Sequence, residues 1–190
     1  EQEFAEPQHW NQALLLEVRQ TLDPALMKQA VERLLVHHDA LRLRFTGNEN
    51  GWHQMNADLA ADVPFHWYDL SALAEKQQIN RIESIAGETQ ASLDLVSGPL
   101  LRLVVFNLGA DKSSRLLLVI HHLVVDGVSW RILLDDLERI YNALRRGESP
   151  SLPAKTTSYL QWSEKLQAEA LSGVFAGELE YWSNVIEQPV

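Results

Sequence analysis

Residues 115–141, RLLLVIHHLVVDGVSWRILLDDLERIY, decide the fold, because the hydrophobic pattern changes its period within them. The run at residues 115–120 is almost continuously apolar, which is typical of a strand that is covered on both faces. From Ser129 onward, apolar residues recur at helical spacing and charged residues lie between them. These apolar positions are Ile132, Leu133, Leu137, Ile140, Tyr141 and Leu144. The segment therefore predicts a strand, a tight loop and a helix.

The predicted loop places titratable groups at the end of this core strand. We expect Gly127 to take a backbone angle that other residues resist and Ser129 to be the N-cap of the helix. A histidine of the pair His121 and His122 would then lie at a rigid strand end beside the positive pole of the helix. There it can act as a base while developing negative charge is stabilised nearby.

Adjacent histidines beside a core strand are more often structural than catalytic, so the spacing of the other residues matters. The set HHxxxDG at residues 121–127 joins two imidazoles, an acid and a glycine at one strand-to-helix junction, which is more specific than a histidine pair. A zinc site is weakly supported, because the chain has no cysteine, no third ligand at metal-site spacing and no HExxH. A Ser-His-Asp triad is also unsupported, because no GxSxG occurs.

The rest of the chain alternates between strand and helix patterns, as expected of an α/β layer protein. Asp23 as N-cap and Pro24 as the first helical residue begin a helix that ends near His37 and His38. Its predicted core face is Leu26, Met27, Ala30, Val31, Leu34 and Leu35. Further strands are predicted over residues 12–18, 41–45, 52–55 and 65–68, a turn over 47–51, a hairpin over 100–108 and 115–121, and helices over 73–95, 129–146, 159–171 and 178–185.

Composition limits the functional classes. The 190 residues are 46% hydrophobic and 22% charged, which is sufficient for one sizeable core. The net charge of −10 argues against nucleic-acid binding, because no basic stripe is present to neutralise phosphates. We expect neither a membrane span nor a signal peptide, since no apolar run is long enough and the stretch EQEFAEPQHW has the wrong composition. The absence of cysteine excludes disulfides and a thiol nucleophile within this chain.

HHLVVDG resembles the HHxxxDG signature of the condensation-domain superfamily of nonribosomal peptide synthetases, and its extension VSWRIL resembles the epimerization branch. Three other stretches are similar to motifs of that branch: residues 9–18, HWNQALLLEV; residues 37–45, HHDALRLRF; and residues 152–162, LPAKTTSYLQW. The resemblance implies a chloramphenicol acetyltransferase-like α/β fold, a two-layer sandwich. It covers residues 4–182 but only the N-terminal half of such a domain, so we expect residues 1–190 to be the N-terminal lobe, with the C-terminal lobe absent.

The resemblance also implies the chemistry. The substrate would be an aminoacyl or peptidyl thioester on the phosphopantetheine arm of a carrier-protein domain, and the reaction would be inversion at the α-carbon in the bacterial cytoplasm. His122 would transfer a proton, and backbone amides near Gly127 and Ser129 would stabilise the enolate. The second acid or base is expected in the C-terminal lobe, and neighbouring synthetase modules are expected partners. No metal and no bound cofactor are expected, nor any nucleic acid or membrane.

Two supporting residues allow more than one interpretation. Asp126 either orients His122 or is the structural partner of an arginine; the resemblance favours an ion pair with Arg42, with Arg44 as the second choice. His121 is interpreted as structural. His37 and His38 are expected to cap a helix or to be solvated, and the acidic residues Asp135, Asp136 and Glu138 are expected to form a solvated helix face.

Two alternative functions stay open. In an amide-forming condensation domain, His122 would position an attacking amine, although the VSWRIL extension argues against this. In a non-catalytic module, the chain would only dock carrier proteins. We expect the isolated 190-residue lobe to be inactive and its lobe-facing surface to be apolar.

Overall fold

The structure is a computed structural model that describes residues 6–49 and 51–187, apart from the side chains of Pro7 and Asn48. It divides into two compact units, Glu1–Pro153 and Ala154–Val190. The strands are β1 Asn11–Val18, β2 Leu43–Asn48, β3 Gly51–Asn56, β4 Phe65–Asp69, β5 Leu101–Asn107 and β6 Ser114–His121. The helices are α1 Pro24–His37, α2 Glu75–Ala91, α3 Gly127–Arg145, α4 Tyr159–Ser172 and α5 Leu179–Glu187. Residues 1–5, the first half of the stretch examined for a signal peptide, lie outside the described residues.

The first unit is built on a four-stranded sheet in the order β1-β6-β5-β4. β6 is antiparallel to β1 and to β5, while β4 runs parallel to β5. The predicted hairpin is confirmed, with Leu103 of β5 opposite Leu118 of β6. Because β6 is an inner strand, the residues that follow it leave the sheet from between β1 and β5.

Both faces of the inner strands are buried. Along β5, Leu103 and Val105 belong to the apolar cluster with α1 and α3, whereas Val104 and Phe106 belong to the cluster with α2. Successive side chains of a strand point to opposite faces, so this alternation places helices on both faces of the sheet. The strand covered on both faces that the continuous apolar run predicted is confirmed, and so is the α/β layer architecture that the alternating patterns predicted.

The first helix begins as the sequence predicts. The side chain of Asp23 accepts hydrogen bonds from the backbone N–H groups of Ala25 and Leu26, at 2.8 and 3.0 Å, and Pro24 is the first helical residue. The backbone N–H of Asp23 donates to the Tyr141 hydroxyl at 2.9 Å, which joins the start of α1 to α3. The predicted apolar face is confirmed: Met27, Ala30, Val31, Leu34 and Leu35 are buried, and Leu26 is partly buried.

Several predicted boundaries are wrong. The strand expected over residues 41–45 begins at Leu43, because Asp39–Arg42 form a 3₁₀ turn. The helix expected over residues 73–95 is shorter, Glu75–Ala91, and the chain turns after it.

A separate two-stranded sheet holds β2 and β3. This small sheet is bonded to the segment between α2 and β5, because the backbone N–H of Phe45 donates to the carbonyl of Leu95 at 2.8 Å. Within the turn predicted at residues 47–51, Asn50 lies outside the described residues, and Gly51 has a φ of 109°, which favours glycine.

The second unit contains the two predicted C-terminal helices. α4 begins with a reciprocal pair of capping bonds at 3.2 Å between Ser158 and Gln161, and it ends at Gly173 with a φ of 76°. No described residue of this unit is buried. Its exposed apolar side chains include Tyr159, Trp162, Leu166, Leu171, Val174, Phe175, Leu179, Trp182 and Ile186.

Within residues 6–49 and 51–187, no helix combines the length and the apolar character that a membrane span needs.

Candidate functional site

The histidine pair is fixed at the end of β6 by both neighbouring strands. The backbone N–H of His121 donates to the carbonyl of Leu100 at 2.9 Å, and that of His122 donates to the carbonyl of Trp10 at 3.0 Å. The pair is therefore attached to the β1 side and the β5 side of the sheet at once. This gives His122 the rigid support that a proton-transfer group needs.

His121 and His122 point into different surroundings. His121 is 1% exposed, and its Nδ1 atom accepts a hydrogen bond from the backbone N–H of Leu123 at 3.2 Å. His122 is half-buried, and the Trp10 ring lies 5.3 Å from its ring. Of the two imidazoles, only that of His122 is at the edge of the core.

The hydrogen bonds of His122 fix its tautomer. Its Nδ1 atom lies 2.9 Å from the carbonyl oxygen of Val125. A carbonyl oxygen only accepts, so Nδ1 carries the hydrogen in the neutral ring and Nε2 keeps its lone pair. The Nε2 atom of Gln12 lies 3.2 Å from that lone-pair atom. His122 thus offers Nε2 as a base.

Asp126, rather than Ser129, is the N-cap of α3. The Asp126 carboxylate accepts from the backbone N–H groups of Val128 and Ser129, at 3.1 and 2.7 Å, and from the Ser129 hydroxyl at 2.6 Å. Our assignment of Ser129 as N-cap is wrong, because a carboxylate can accept all three hydrogens at once and the helix begins two residues earlier. These bonds, the hydroxyl of Ser129 first, lower the pKa of Asp126.

The ion pair expected between Asp126 and an arginine is also wrong within the described part of the chain. Arg42 donates to the Asp39 carboxylate at 3.0 Å, to the carbonyl of Ala57 at 3.1 Å and to the carbonyl of Leu35. Asp39 is the nearer acid because it lies in the same 3₁₀ turn. The guanidinium of Arg42 therefore holds the end of α1, where helix carbonyls lack partners within the helix.

Arg44, the second arginine expected to pair with Asp126, also has other partners. Arg44 donates to the carbonyl of Leu43 at 2.7 Å, and its charge lies near Asp94. Burial lowers the pKa of Arg44, and it also lowers the pKa of Arg102. Arg42, Arg44 and Arg102 together line a cavity of about 530 Å³, and His122 is not among the residues that line it.

Gly127 does not take the backbone angle that we expected. It is the first residue of α3, and it is not among the residues with positive φ. A Cβ atom added there would have no neighbour within 4 Å. Helical angles suit any residue, so within this chain neither the backbone nor packing requires glycine at this position.

A second cluster of titratable residues joins α1 to α3. Asp136 is 5% exposed and lies 2.9 Å from Nε2 of His38, whose ring contacts that of His37 edge-on. We expected these residues to be solvated or capping, and this expectation is wrong for Asp136. The spacing in the sequence could have indicated that Asp136 is buried, since it shares the helix face of Leu133 and Ile140.

His37, His38 and Asp136 are also the residues that could hold a metal. One donor atom of each lies within 4.8 Å of those of the others. Imidazole and carboxylate form a donor set that zinc accepts. Sequence reasoning missed this set of donor atoms, because Asp136 is 98 positions from His38 in the chain.

The sequence is similar to those of known proteins. A family model described as "Condensation domain" matches residues 1–190. One of the linear gramicidin synthase proteins of Brevibacillus parabrevis is 48% identical over 188 residues, which are 99% of this chain and 4% of that protein. Surfactin synthase subunit 1 of Bacillus subtilis (strain 168) is 40% identical over an alignment of 191 positions, which covers 100% of this chain and 5% of that protein. The chain thus spans a small fraction of these relatives.

Solved structures agree with the family model. The crystal structure of the epimerization domain from the third module of a tyrocidine synthetase matches with a TM-score of 0.89 and 36% identity, over 98% of this chain and 42% of that one. The starter condensation domain of rhizomide synthetase matches with a TM-score of 0.82 over 96% of this chain and 43% of that one. At 22% identity, the second match shows the fold alone. Because the family model matches residues 1–190, the chain belongs to the condensation-domain family.

Proposed function

We propose that this chain is the N-terminal lobe of an epimerization domain in a nonribosomal peptide synthetase. The observation that carries the proposal is the Nε2 atom of His122, which is presented as a base at the end of an inner strand. The subtype is supported by the 36% identity to the tyrocidine synthetase epimerization domain, against 22% for the starter condensation domain. The VSWRIL extension after the glycine supports the same subtype.

The substrate we propose is an aminoacyl or peptidyl thioester on the phosphopantetheine arm of a carrier-protein domain. The thioester carbonyl acidifies the α-proton, so a positioned base can remove it. The α-carbon–hydrogen bond breaks, the proton passes to Nε2 of His122, and the electron pair moves onto the carbonyl oxygen as an enolate. An acid on the opposite face returns a proton to the α-carbon, which inverts it.

The enolate receives less help from α3 than we expected. The backbone N–H groups of Val128 and Ser129 already donate to the Asp126 carboxylate, and that negative charge offsets the positive pole of the helix. Of the backbone N–H groups in the first three residues of α3, that of Gly127 is left to donate to an oxyanion. We therefore propose that the C-terminal lobe supplies most of the enolate stabilisation together with the second acid or base.

The proposed reaction needs no metal and no resident cofactor, because the phosphopantetheine arrives with the carrier domain. Besides the C-terminal lobe of the same domain, the partners are the carrier domain and the neighbouring synthetase modules.

Peptide-bond formation is the second candidate, because the matching family model describes a condensation domain. In that reaction, Nε2 of His122 would accept a hydrogen bond from the attacking amine rather than remove a carbon-bound proton. The same geometry serves both reactions, so the substrate decides between them.

The complete parent domain with its carrier domain distinguishes the candidates. The carrier is loaded with an L-aminoacyl group in deuterium oxide, and deuterium at the α-carbon and peptide-bond formation are both measured. The proposal requires α-deuteration that His122→Ala abolishes without unfolding the domain. Peptide bonds without α-deuteration would establish condensation, and neither product with intact carrier binding would establish a docking module. Near wild-type exchange in folded His122→Ala would remove His122 from the mechanism.

A further inference from the structure

Three hydrogen bonds connect α3, β1 and the loop after β6 through His122. The indole Nε1–H of Trp130 donates to the side-chain oxygen of Gln12 at 2.5 Å. The amide nitrogen of Gln12 lies 3.2 Å from Nε2 of His122, and Nδ1 of His122 lies 2.9 Å from the carbonyl oxygen of Val125. The two ends of this chain of bonds have fixed roles, because an indole N–H only donates and a backbone carbonyl only accepts.

These fixed ends determine every hydrogen between them. The oxygen of the Gln12 amide must face Trp130, so its NH₂ group faces His122 and donates to Nε2. An imidazolium at His122 would instead place an N–H against this NH₂ group. Turning the amide over would not relieve the clash without placing its NH₂ group against the indole N–H of Trp130.

We infer that Gln12 is a positioning residue that keeps the Nε2 atom of His122 unprotonated and aimed until the substrate arrives. The inference deepens the proposed function, because it rests on His122 as the proton-transfer group. Gln12 acts through His122 and through the orientation that Trp130 imposes on its amide.

The placement of Gln12 and Trp130 supports a fixed rather than an occasional contact. Gln12 lies on β1 opposite Ile120 of β6, two residues before His122, and Trp130 is 9% exposed. The nearby charge acts in the opposite direction, since the carboxylate of Asp126 attracts a positive imidazolium. The neighbouring titratable ring, His121, is buried and bonded to the Leu123 amide. Gln12 therefore opposes protonation of His122 through the NH₂ group that it presents to Nε2.

The two bonds of the Gln12 side chain respond differently when His122 takes a proton. Nε2 has a single lone pair, so the bond from Gln12 must break when Nε2 takes a proton. The bond between the Trp130 indole and the side-chain oxygen of Gln12 does not involve that lone pair. The amide can swing away from His122 while the indole still holds its oxygen.

Gln12→Glu is the decisive variant, because it keeps the shape and reverses the role. A carboxylate accepts from the Trp130 indole and also from a protonated Nε2, so it should stabilise the imidazolium. In the complete parent domain labelled with ¹⁵N-histidine, His122 should show a larger protonated fraction than wild type through a pH series. Exchange of the α-proton should fall about a hundredfold in kcat, the lower end of what a general base contributes, with little change in KM.

Two further variants and a control separate positioning from a general structural role. Gln12→Met, which removes the bonds without adding charge, should lower kcat by less than Gln12→Glu does. Trp130→Phe frees the amide to turn and should shift the protonated fraction in the same direction as Gln12→Glu, but less. Gln20→Glu adds the same charge at a partly exposed site remote in sequence from the motif, where the side chain accepts from Arg145 at 2.9 Å, and should match wild type in both measurements.

An unchanged His122 spectrum and unchanged exchange in folded Gln12→Glu would overturn the inference. If Gln12→Glu does not fold, unchanged exchange in Gln12→Met overturns it, and a selective fall in kcat upholds it. The spectrum reports protonation whatever the reaction is. If the parent domain forms peptide bonds instead, the proposed function fails while the result for Gln12 stands.

Discussion

The Nε2 atom of His38 lies 2.9 Å from the Oδ2 atom of Asp136, and this bond joins the end of α1 to the buried face of α3. The side chain of Asp136 is 8% exposed and that of His38 is 21% exposed. A carboxylate so far from water requires a hydrogen-bond partner, so this contact is a structural requirement of the helix pair.

Replacing His38 with alanine should therefore destabilise the first unit more than a surface change does. The variant leaves the Asp136 carboxylate buried without this partner, and we expect the free energy of unfolding to fall by about 3 kcal/mol. Urea denaturation of wild type and variant measures the difference. Asp135→Ala, at the adjacent position, is the control and should change stability by less than about 0.5 kcal/mol. Equal losses in both variants would show that the contact contributes nothing.

The cap of α3 makes a pH-dependent contribution to stability. The hydroxyl of Ser129 is the largest cause of the lowered pKa of Asp126, so the folded pKa lies below the unfolded value of about 3.9. The resulting stability is present above the unfolded pKa and is lost as the pH falls through the folded pKa. Ser129→Ala should raise the pKa of Asp126 and reduce this acid-sensitive contribution. An NMR titration of the Asp126 carboxyl tests this, with Ser172→Ala as control; an unchanged titration in Ser129→Ala would contradict it.

Asp126 and Arg42 should behave as independent sites. Asp126→Ala removes a helix cap, at a cost of about 1 kcal/mol. Arg42→Ala removes the hydrogen bonds that hold the end of α1 to neighbouring backbone and to Asp39. Because the two side chains share no described partner, their losses should add to within about 0.5 kcal/mol in the double variant. A coupling energy well above this in a denaturation cycle would restore the ion pair.

Gly127→Ala should not destabilise the chain. The position is helical and its Cβ would have open space, and alanine favours a helix over glycine by up to about 1 kcal/mol. Gly98→Ala is the matched contrast, because Gly98 has a φ of 78° and its Cβ would clash with the guanidinium of Arg44. We expect the melting temperature to fall only in Gly98→Ala. A fall in Gly127→Ala would mean that the loop conformation is not the one described.

The purified 190-residue chain should not invert a carrier-bound L-aminoacyl thioester. The proposed second acid or base belongs to the C-terminal lobe. The 190-residue chain therefore lacks the group that would return a proton to the opposite face of the α-carbon. Chiral analysis of the released amino acid measures inversion, and the complete parent domain is the positive control. D-product from the chain alone would show that the two-lobe account is wrong.

The sequence by itself determined the layers of the fold. The apolar run before His121 predicted a strand covered on both faces, and Asp23 with Pro24 predicted the start of α1, because these signals are local and have fixed periods or positions. The histidine motif also located the candidate site.

The partners of each polar side chain were decided only by the tertiary structure. Asp126 caps its own helix rather than pairing with Arg42, and Asp136 is buried against His38, because such partners come from whichever elements the sheet order brings together. Gln12 and Trp130 are 118 positions apart, yet their bond sets the hydrogen that faces His122. A hydrogen bond forms only over about 3 Å. Periodicity indicates which face of an element a residue occupies but not its partner on another element. The sequence therefore identified the proposed base, and only the tertiary structure identified the side chains that contact it.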